Sequence, residues 1–357
     1  MPAYTLVESA DTLGTTLTEF ADLGIDTEFM RERTFFSQLC LLQIGAGTSI
    51  YCVDPLAEPP GDTFWRALTG RRWILHSARQ DIEVIYQAAN RMPSAIFDTQ
   101  IAAALLGMPP QMGYATLVNT LFDVDLPKTH TRANWAERPL PARFLDYAAE
   151  DVEYLLPAFE VLSERLQAAG RLEWALADSA ALLDPALYQV DPGGAIAKLK
   201  GARNLRGRRR AVAEALAAWR EREALRLDRP RQWILRDSVL VQIAERLPES
   251  KADLKRIADL PPKVIDRAGN DLLDAVRSAN AGSTSYRPPA APNESQKTVL
   301  KQMQKRVAEA AESLGIAAET IASRKELTAV IIDGERRSRL FEGWRRDLIG
   351  SELASLL

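Results

Sequence analysis

Two kinds of hydrophobic pattern follow one another along the chain, and the first alternates between strand and helix. The stretches SQLCLLQIGAG and SIYCVDPL are rich in residues that favour β-strands, and a Gly-containing turn at 46–48 separates them. Two such runs across a short turn predict a β-hairpin. The run RRWILHSA is a third strand candidate, and Ile82, Ile85 and Tyr86 after it recur at helical spacing. The pattern predicts an α/β domain with a mixed sheet over residues 1–190.

The second kind of pattern begins after DPGG at 191–194, where the strand signals stop. Apolar residues then recur at helical spacing between short turns marked by proline, which is typical of an all-α region. The stretch SANAGSTSYRPPAAPNES has the Pro, Gly and Ser content of a linker, and we assign residues 284–294 to it. We therefore predict two small helical domains after the α/β domain, at 204–283 and at 295–357.

Composition and charge exclude several classes of protein. The 357 residues contain 45 lysines and arginines against 48 acids, so the formal net charge is −3. This balance excludes a uniformly basic nucleic-acid-binding surface but is compatible with a local basic patch. The two cysteines, Cys40 and Cys52, form no CxxC pattern, which argues against a structural zinc site and excludes a disulfide framework. The N-terminus lacks a signal-peptide pattern and no apolar stretch approaches the roughly 20 residues of a membrane helix, so we expect a cytoplasmic protein without membrane association.

Acidic residues in apolar surroundings are the main candidates for chemistry. Asp26 and Glu28 interrupt the apolar run LGIDTEFM, and their spacing of two places both on one face of a strand. Asp81 and Asp151 also lie in apolar helical stretches, and Tyr147 precedes Asp151 by one helical turn. Clustered carboxylates repel one another unless a cation neutralises them, and two divalent cations can hold the attacking and leaving oxygens of a phosphodiester. The pattern indicates a two-metal phosphodiesterase site.

Each acid also has a simpler interpretation. Asp26 and Glu28 are compatible with a charge pair on an edge strand. Asp81 is compatible with an acid in the first turn of a helix, where the helix dipole favours negative charge. Asp151 is compatible with a solvated helix charge, and Tyr147 with an aromatic residue of the core. The combination and the order of the acids, and not any one of them, carry the prediction.

Four segments resemble the successive motifs of the DEDD superfamily of 3′-to-5′ exonucleases: DTEFMRERTFFSQLCLLQI, LHSARQDIEVI, FDTQIAAALLG and YAAEDVEYLLP. The tyrosine of the last motif places the resemblance in the DEDDy branch, and the sequence around each motif is most similar to the ribonuclease D family. The segment THTRANWAERPL is similar to the stretch before the last motif in that family. The helical regions resemble HRDC domains, with WREREALRLDRPRQWILRDSVLVQIAERLP as the most telling stretch of the first.

The resemblance implies a fold and an activity. The N-terminal domain is expected to have a ribonuclease-H-like fold in which Asp26, Glu28, Asp81 and Asp151 bind two Mg²⁺ or Mn²⁺ ions and Tyr147 orients the attacking water. The expected activity is removal of nucleoside 5′-monophosphates from the 3′ ends of structured RNAs, above all tRNA precursors, by a monomeric enzyme. The alternatives are a DNA exonuclease of the same superfamily and a non-catalytic RNA-binding scaffold.

The segment KLKGARNLRGRRR concentrates positive charge between the α/β domain and the helical region, with no acid inside it. Such a strip suits phosphate contacts that release counterions, and the alternative is a solvated connector. We select Arg206, Arg208, Arg209 and Arg210 from it as RNA-binding candidates.

The stretch before the last motif mixes cations with an aromatic residue, as single-strand sites do. It supplies four more RNA-binding candidates: Lys128, Arg132, Trp135 and Arg138. Trp135 is equally compatible with a core position.

Three residues near the acids complete the RNA-binding candidates, and two of them, Met30 and His76, have a structural alternative. Met30 is a candidate wedge for the terminal base, or a core residue. Gln43 lies where the family places a substrate contact. His76 belongs to a family motif, but it suits a supporting role better than a ligand role because hard cations prefer oxygen. Three tryptophans of the helical region are predicted to be core residues: Trp219, Trp233 and Trp344.

Overall fold

The structure of the protein is a computed structural model that describes residues 2–7, 9–127, 133–280, 286, 290–334 and 338–357. Its internal contacts divide the chain into two compact units. The first comprises Met1–Met30, Gln38–Tyr188 and Ala290–Leu357, and the second comprises Arg31–Ser37 and Gln189–Pro289. Each unit buries its own apolar side chains. Within the described stretches, no helix combines the length and the apolar character needed to span a membrane.

A mixed six-stranded sheet is the framework of the first unit. Its strands are β1 (Thr5–Val7), β2 (Asp22–Met30), β3 (Gln38–Ala46), β4 (Ser49–Val53), β5 (Arg72–Leu75) and β6 (Ala95–Asp98). They lie in the order β1-β4-β3-β2-β5-β6. β3 pairs antiparallel with β2 and with β4, and the other neighbours pair parallel. The predicted α/β fold with a mixed sheet is confirmed.

The two central strands differ in how polar they are. β3 is an almost unbroken apolar run, and all but its first residue are buried, as expected of a strand covered on both faces. β2 carries Asp26 and Glu28 among its apolar residues; Asp26 stands opposite Gln43 and Glu28 opposite Leu41. The register shifts directly after Glu28, and pairing resumes with Phe29 opposite Leu39 and Met30 opposite Gln38.

The described residues before 181 form eight helices around this sheet: α1 (Ala10–Leu17), α2 (Asp62–Thr69), α3 (Arg79–Ala89), α4 (Thr99–Leu105), α5 (Tyr114–Phe122), α6 (Ala142–Glu153), α7 (Leu155–Ala168) and α8 (Leu172–Ala180). Helix α6 packs against β2, β3 and β4, and α3 packs against β2 and β3. Short 3₁₀ turns at Ala181–Leu183 and Pro185–Leu187 follow α8.

The carboxylate of Asp98 fixes the loop that leads into α3. It caps α4 by accepting hydrogen bonds from the backbone N–H groups of Gln100 and Ile101. It also accepts from the N–H groups of Ser77 and Ala78, at 3.1 and 2.8 Å. The acid of the FDTQ motif is therefore a structural clamp between the ends of β5 and β6.

The second unit is helical. It contains 3₁₀ turns at Gly193–Lys198 and Ala202–Asn204, followed by α9 (Gly207–Leu227), α10 (Arg231–Ile234), α11 (Asp237–Arg246), α12 (Lys251–Leu254) and α13 (Pro262–Ser278). Residues 31–37, which connect β2 to β3, belong to this unit because Phe35 is buried in its core. The Asp228 carboxylate holds this loop by accepting from the N–H groups of Phe35 and Phe36, at 2.9 and 3.1 Å.

The C-terminal helices pack within the first unit. They are α14 (Glu294–Leu314), α15 (Ala318–Ile321), α16 (Arg324–Asp333), α17 (Gly343–Arg345) and α18 (Ser351–Ser355), with a 3₁₀ turn at Arg339–Phe341 and a π turn at Arg346–Gly350. Trp344 stacks on Trp174 of α8, with ring centroids 4.5 Å apart. The division into domains at 1–190, 204–283 and 295–357 stays a prediction; the described helices after residue 290 share the apolar core of the sheet.

One of the three tryptophans expected in helical cores is not buried. Trp219 and Trp344 are core residues. Trp233 is 60% exposed, because Ile234 and Leu235 next to it supply the buried side of the short helix α10. The prediction of a core role for Trp233 is therefore wrong.

Candidate active site

Three elements of the first unit bring acids together. Asp26 and Glu28 lie on β2, Asp151 lies on α6, and Asp81 lies on α3. Carboxylate oxygens of Asp26, Glu28 and Asp151 lie within 4.8 Å of one another. Asp81 is held beside them by Thr27, whose hydroxyl donates a 2.6 Å hydrogen bond to its carboxylate. All four acids predicted from the sequence thus belong to one locality.

A cavity of about 210 Å³ opens over this group. Its wall is formed by seven residues: Asp26, Glu28, His76, Tyr114, Tyr147, Asp151 and Leu155.

Burial and mutual repulsion disfavour the ionised form of every acid in the cavity. Burial, followed by the charges of Asp81 and Asp151, raises the pKa of Asp26 well above its ordinary value. The same two causes raise the pKa of Glu28 to about 8. Burial raises the pKa of Asp81 and of Asp151 to about 7, against hydrogen bonds from Thr27 and Tyr147 that lower it. The four acids cannot all be ionised at neutral pH without added positive charge.

The donor set fits divalent cations. Carboxylate oxygens are the ligands that Mg²⁺ and Mn²⁺ prefer, and the described residues place no lysine or arginine against this group to neutralise it. In a structural ion pair, a lysine or arginine side chain would neutralise the carboxylates. Acids buried together without one are the observation that favours a metal site.

Tyr147 belongs to the same group through Asp151. Its hydroxyl is hydrogen-bonded to the Asp151 carboxylate, one helical turn further along α6. Burial and the charges of Asp151 and Glu28 raise the pKa of Tyr147 far above its ordinary value. The phenol therefore stays protonated at physiological pH, which excludes Tyr147 as a general base. A protonated phenol can still position a polar group by hydrogen bonding.

His76 forms part of the cavity wall with both ring nitrogens engaged. Nε2 lies 2.8 Å from the carbonyl oxygen of Met112, which can only accept, so this nitrogen carries a proton. Nδ1 lies 2.9 Å from the Thr99 hydroxyl. Burial lowers the pKa of His76, which favours the neutral ring. His76 therefore offers the cavity a ring face and no free nitrogen, in agreement with a supporting role.

Comparison with known proteins decides the family. The family description "3'-5' exonuclease" matches residues 5–167, and "HRDC domain" matches residues 209–276. Ribonuclease D of Acidiphilium cryptum is 33% identical to this chain, over 99% of the chain and 93% of that protein. The chain belongs to the ribonuclease D family.

Two further relatives agree. Ribonuclease D of Pseudomonas paraeruginosa is 35% identical, over 94% of this chain and 92% of that protein. The crystal structure of Escherichia coli RNase D, an exoribonuclease involved in structured RNA processing, has a TM-score of 0.87 and 28% identity, covering 99% of this chain and 98% of that one. This ribonuclease D-family protein is a 3′-to-5′ exoribonuclease of the DEDD superfamily, and its fold implies the use of divalent metal ions.

Three RNA-binding candidates of this ribonuclease D-family protein are buried or have partners within the fold, and their contact with RNA stays a prediction. Gln43 is fully buried in β3. Trp135 is 3% exposed and packs on Phe144, with ring centroids 5.2 Å apart. The guanidinium of Arg138 donates to the Asp54 carboxylate and to the Cys40 carbonyl, at 2.7 and 2.8 Å. The contacts of Trp135 and Arg138 give these two side chains a structural role.

The other RNA-binding candidates stay predictions. Met30 is half-buried at the end of β2. Arg206, Arg208 and Arg209 are exposed and Arg210 is half-buried, all at the start of α9 in the second unit. Lys128 and Arg132 lie outside the described residues.

Two residues of the site were not expected from the sequence. Thr27 lies between the two acids of β2, and its hydroxyl donates a hydrogen bond to Asp81. Its position between the two acids could have identified it as a residue of the site. Tyr114 lines the cavity and its hydroxyl accepts a 3.0 Å hydrogen bond from the N–H of Tyr154. Nothing near Tyr114 in the sequence marks it, because its partners lie on elements about 40 residues away.

Proposed function

We propose that this ribonuclease D-family enzyme trims the 3′ ends of structured RNAs, above all tRNA precursors, as a monomer that uses two Mg²⁺ or Mn²⁺ ions. The observation that carries the proposal is the group of carboxylates of Asp26, Glu28 and Asp151, whose oxygens approach within 4.8 Å in a buried cavity. Structured RNA enters the proposal from the relative in Escherichia coli, which is described as acting in structured RNA processing.

The acids are proposed to hold the ions. Asp26, Glu28 and Asp151 supply oxygens from β2 and α6, and Thr27 fixes the carboxylate of Asp81 for the same purpose. When bound, the ions supply positive charge to the carboxylates and to the phosphodiester oxygens. The raised pKa values of Glu28 and Asp151 are then expected to fall, because a nearby cation favours the ionised form.

Tyr147 is proposed to orient the attacking water. Its hydroxyl donates to Asp151, and a phenol oxygen that donates in this way has the chemistry to accept a hydrogen bond from water. A group that positions water without removing its proton contributes through orientation. His76 and Tyr114 line the cavity beside it and are proposed to contact the terminal nucleotide through their ring faces.

The size of the cavity favours an exonuclease acting on single-stranded ends. A volume of about 210 Å³ does not exceed that of one nucleotide, and a duplex is much wider. The 3′ tail of a folded RNA satisfies this restriction while its body stays outside. The expected products are nucleoside 5′-monophosphates released one at a time.

The test is digestion of 5′-labelled RNA and product analysis with and without Mg²⁺ or Mn²⁺. A tRNA precursor, an unstructured RNA and a DNA of the same sequence are compared, with Asp151→Asn as the matched inactive control. We expect a ladder that shortens from the 3′ end, nucleoside 5′-monophosphate as product, and no reaction in chelator. Faster digestion of the DNA would favour a DNA exonuclease instead. RNA binding with no hydrolysis under any metal would favour a scaffold.

A further inference from the structure

One side chain of β3 buries two polar atoms that have no partner. Gln43 has no exposed surface, and neither its amide nitrogen nor its amide oxygen has a hydrogen-bond partner within the described part of the chain. The other buried side-chain atoms without a partner among the described residues occur one to a side chain. Burying an amide in this way is unfavourable, so such a group calls for a ligand or a functional role.

Gln43 stands directly opposite the first acid of the cavity. It is the partner of Asp26 in the antiparallel pair of β2 and β3. Side chains opposite each other in such a pair lie on one face of the sheet, with Cβ atoms about 4.5–5.5 Å apart. In the pair of β3 with β4, the partner of Gln43 is Cys52. The amide therefore belongs to a row of side chains that has a carboxylate on one side and a thiol on the other.

Helix α6 covers this row closely because the next row on the same face consists of two glycines. Gly24 and Gly45 stand opposite each other, two residues along their strands from the row of Gln43. A Cβ atom at Gly45 would lie 3.3 Å from the carbonyl oxygen of Val152 in α6, and one at Gly24 would lie 3.5 Å from the same oxygen. The two glycines let α6 approach the sheet, and this close approach accounts for the burial of Gln43.

The neighbours of Gln43 differ in what they offer an amide. The N–H and C=O groups of β3 are used in pairing with a strand on each side. Burial raises the pKa of Cys52 to about 12, so Cys52 stays a thiol, which is a weak hydrogen-bonding group. The carboxylate of Asp26 is a strong acceptor. It accepts from the backbone N–H of Thr27 and has acceptor sites for further donors.

We propose that Gln43 is a positioning residue for Asp26: when a cation is bound, the amide N–H group of Gln43 donates to the Asp26 carboxylate and holds it in the orientation that binds the cation. Carboxylates that ligate metals are in turn hydrogen-bonded, and loss of such a partner costs about 10- to 100-fold in metal affinity. Among the described residues, Asp26 lines the cavity and Gln43 does not, so Gln43 acts through Asp26. The inference rests on the proposed function, because Asp26 has to bind a cation.

The decisive experiment measures Mn²⁺ binding by the full-length protein without RNA, from the loss of the electron paramagnetic resonance signal of free Mn²⁺. Gln43→Met keeps the length of the side chain and removes both polar atoms. Its Mn²⁺ affinity is expected to fall about 10- to 100-fold. In EDTA its unfolding temperature should equal or exceed that of wild type, because the metal-free protein loses an unsatisfied amide and no hydrogen bond.

Leu41→Met is the matched control. Leu41 is fully buried on the same face of β3, opposite Glu28, and exchanging it for methionine conserves volume. Its Mn²⁺ affinity should stay that of wild type. Turnover of Gln43→Met should recover at raised Mn²⁺ concentration, because this variant loses affinity for the cation and keeps every group that ligates it. A variant that had only lost packing would not recover in this way.

Two further measurements test whether Gln43 acts through Asp26. In the Asp26→Asn background, Gln43→Met should reduce Mn²⁺ affinity no further, because the partner of the interaction is already lost. The second measurement uses the wild-type chain labelled with ¹⁵N-glutamine. Its Gln43 side-chain amide signal, identified by its absence from Gln43→Asn, should shift when Mg²⁺ is added. This measurement stays decisive even if Gln43→Met does not fold.

Three results would overturn the proposal. The first is a Gln43→Met variant with the Mn²⁺ affinity of wild type. The second is a loss of affinity for single-stranded RNA in EDTA with Mn²⁺ affinity unchanged, which would make Gln43 a substrate contact. The third is an amide signal of Gln43 that does not respond to Mg²⁺. A chain whose Mn²⁺ affinity depends on Gln43 but which hydrolyses no RNA would contradict the proposed function and leave this inference standing.

Discussion

Two buried charged groups of the first unit are built in opposite ways. The carboxylates of Asp26, Glu28 and Asp151 share a cavity and repel one another. Asp178 of α8 is also a buried acid, but the guanidinium of Arg345 binds both of its oxygens, at 2.6 and 2.7 Å. The first group lacks the positive charge that the second contains.

The pair between Arg345 and Asp178 is satisfied on every side. Arg345 also donates to the carbonyl oxygens of Ile321 and Thr320, at 2.8 and 2.9 Å. The indole N–H of Trp344 donates to the same Asp178 carboxylate at 3.1 Å. The pair therefore joins α8 to the C-terminal helices, and we call it the Arg345 clamp.

The difference separates a structural charge from a functional one. A buried ion pair with all its hydrogen bonds made is stable by itself and fixes how elements pack. A buried group of like charges is stable only when a ligand completes it, so it marks a site. Substitutions in the acids of the cavity should therefore change turnover, whereas substitutions in the Arg345 clamp should change the free energy of unfolding.

The largest effect is expected from the acids of the cavity. Asp151→Asn or Asp26→Asn should reduce exonuclease turnover about 10³-fold or more, because the site loses a negatively charged oxygen ligand for its cations. The metal-free protein should be as stable as wild type or more stable, since the substitution removes repulsion. Single-turnover digestion and thermal unfolding in EDTA measure the two quantities.

Asp62→Asn on α2 is the matched control, because Asp62 is exposed and pairs only with surface arginines. It should change neither quantity appreciably. Turnover close to wild type in Asp151→Asn would show that the carboxylate group is not the reaction centre.

The second largest effect is expected in the Arg345 clamp. Arg345→Met should lower the free energy of unfolding by about 3–5 kcal/mol, because Asp178 is left buried without its partner. Turnover per folded molecule should stay near wild type. Chemical denaturation, with activity measured below the transition, tests both.

Arg346→Met is the control for the clamp, since Arg346 is the next residue but is exposed and pairs with Asp347 on the surface. Its cost should be small, about 0.5 kcal/mol or less. The double variant Arg345→Met, Asp178→Leu should recover much of the lost stability. Equal costs for Arg345→Met and Arg346→Met would contradict the role of the clamp.

How far the sequence could predict these regions depends on the distance between partners. Asp26 and Glu28 share one strand, and Tyr147 and Asp151 share one helix, so their joint role was visible from local spacing. Asp178 and Arg345 are 167 residues apart, and the helical pattern around each shows that a face is buried without showing what covers it. The packing of the C-terminal helices within the first unit was therefore not predictable.

The same reason explains why the partners of Arg138 and the exposure of Trp233 were not predictable. Arg138 lies in a segment whose composition is typical of a phosphate-binding site. Its partner Asp54 lies 84 residues earlier, so the two meet only in the folded chain. Trp233 occupies an apolar-periodic position, yet one turn of α10 is too short for periodicity to say which side is buried. The mixed sheet was predicted because its longer strands β2, β3 and β4 are local apolar runs.

A third effect concerns Tyr147. Tyr147→Phe should reduce turnover about 10- to 100-fold with little change in RNA affinity, because the ring stays packed while the hydroxyl is lost. The ring centroid lies 6.2 Å from that of Trp135, so the aromatic contact is retained by phenylalanine. Steady-state kinetics give the split between kcat and KM. A collapse of affinity with unchanged kcat would make Tyr147 part of the RNA-binding surface instead.

A fourth effect is a pH dependence of stability that metal should remove. Burial raises the pKa of Glu28 from 4.5 to about 8 and the pKa of Asp81 and of Asp151 from 3.8 to about 7. Groups whose pKa is raised on folding stabilise the protein below their unfolded values and lose this contribution as pH rises. The metal-free protein should therefore lose about 2–3 kcal/mol of stability between pH 5 and pH 8 for each of these carboxyls that ionises independently.

Denaturation at several pH values, in EDTA and in MgCl₂, measures this slope. Bound cations should flatten it because they favour the ionised acids, and Asp151→Asn should flatten it partly without metal. A slope that is the same in EDTA and in MgCl₂ would mean that the acids of the cavity do not share a cation.

The smallest effect is expected at Glu326, whose pH dependence should have the opposite sign. Burial disfavours its charge, but hydrogen bonds from Arg339 and Ser323 outweigh this and lower the pKa of Glu326 from 4.5 to about 2. A group whose pKa is lowered stabilises the protein above its unfolded value and loses that contribution as pH falls.

Glu326→Gln keeps the capping hydrogen bond to Ser323 and should cost about 1 kcal/mol or less at pH 7, because Arg339 is half exposed to solvent. The difference from wild type should shrink as pH falls from about 4.5 towards 2, whereas Glu294→Gln, at an almost fully exposed glutamate, should show little difference at any pH. Denaturation from pH 7 to pH 3 measures the difference in the free energy of unfolding between Glu326→Gln and wild type. A difference that grows as pH falls would mean that Arg339 does not stabilise the charge of Glu326.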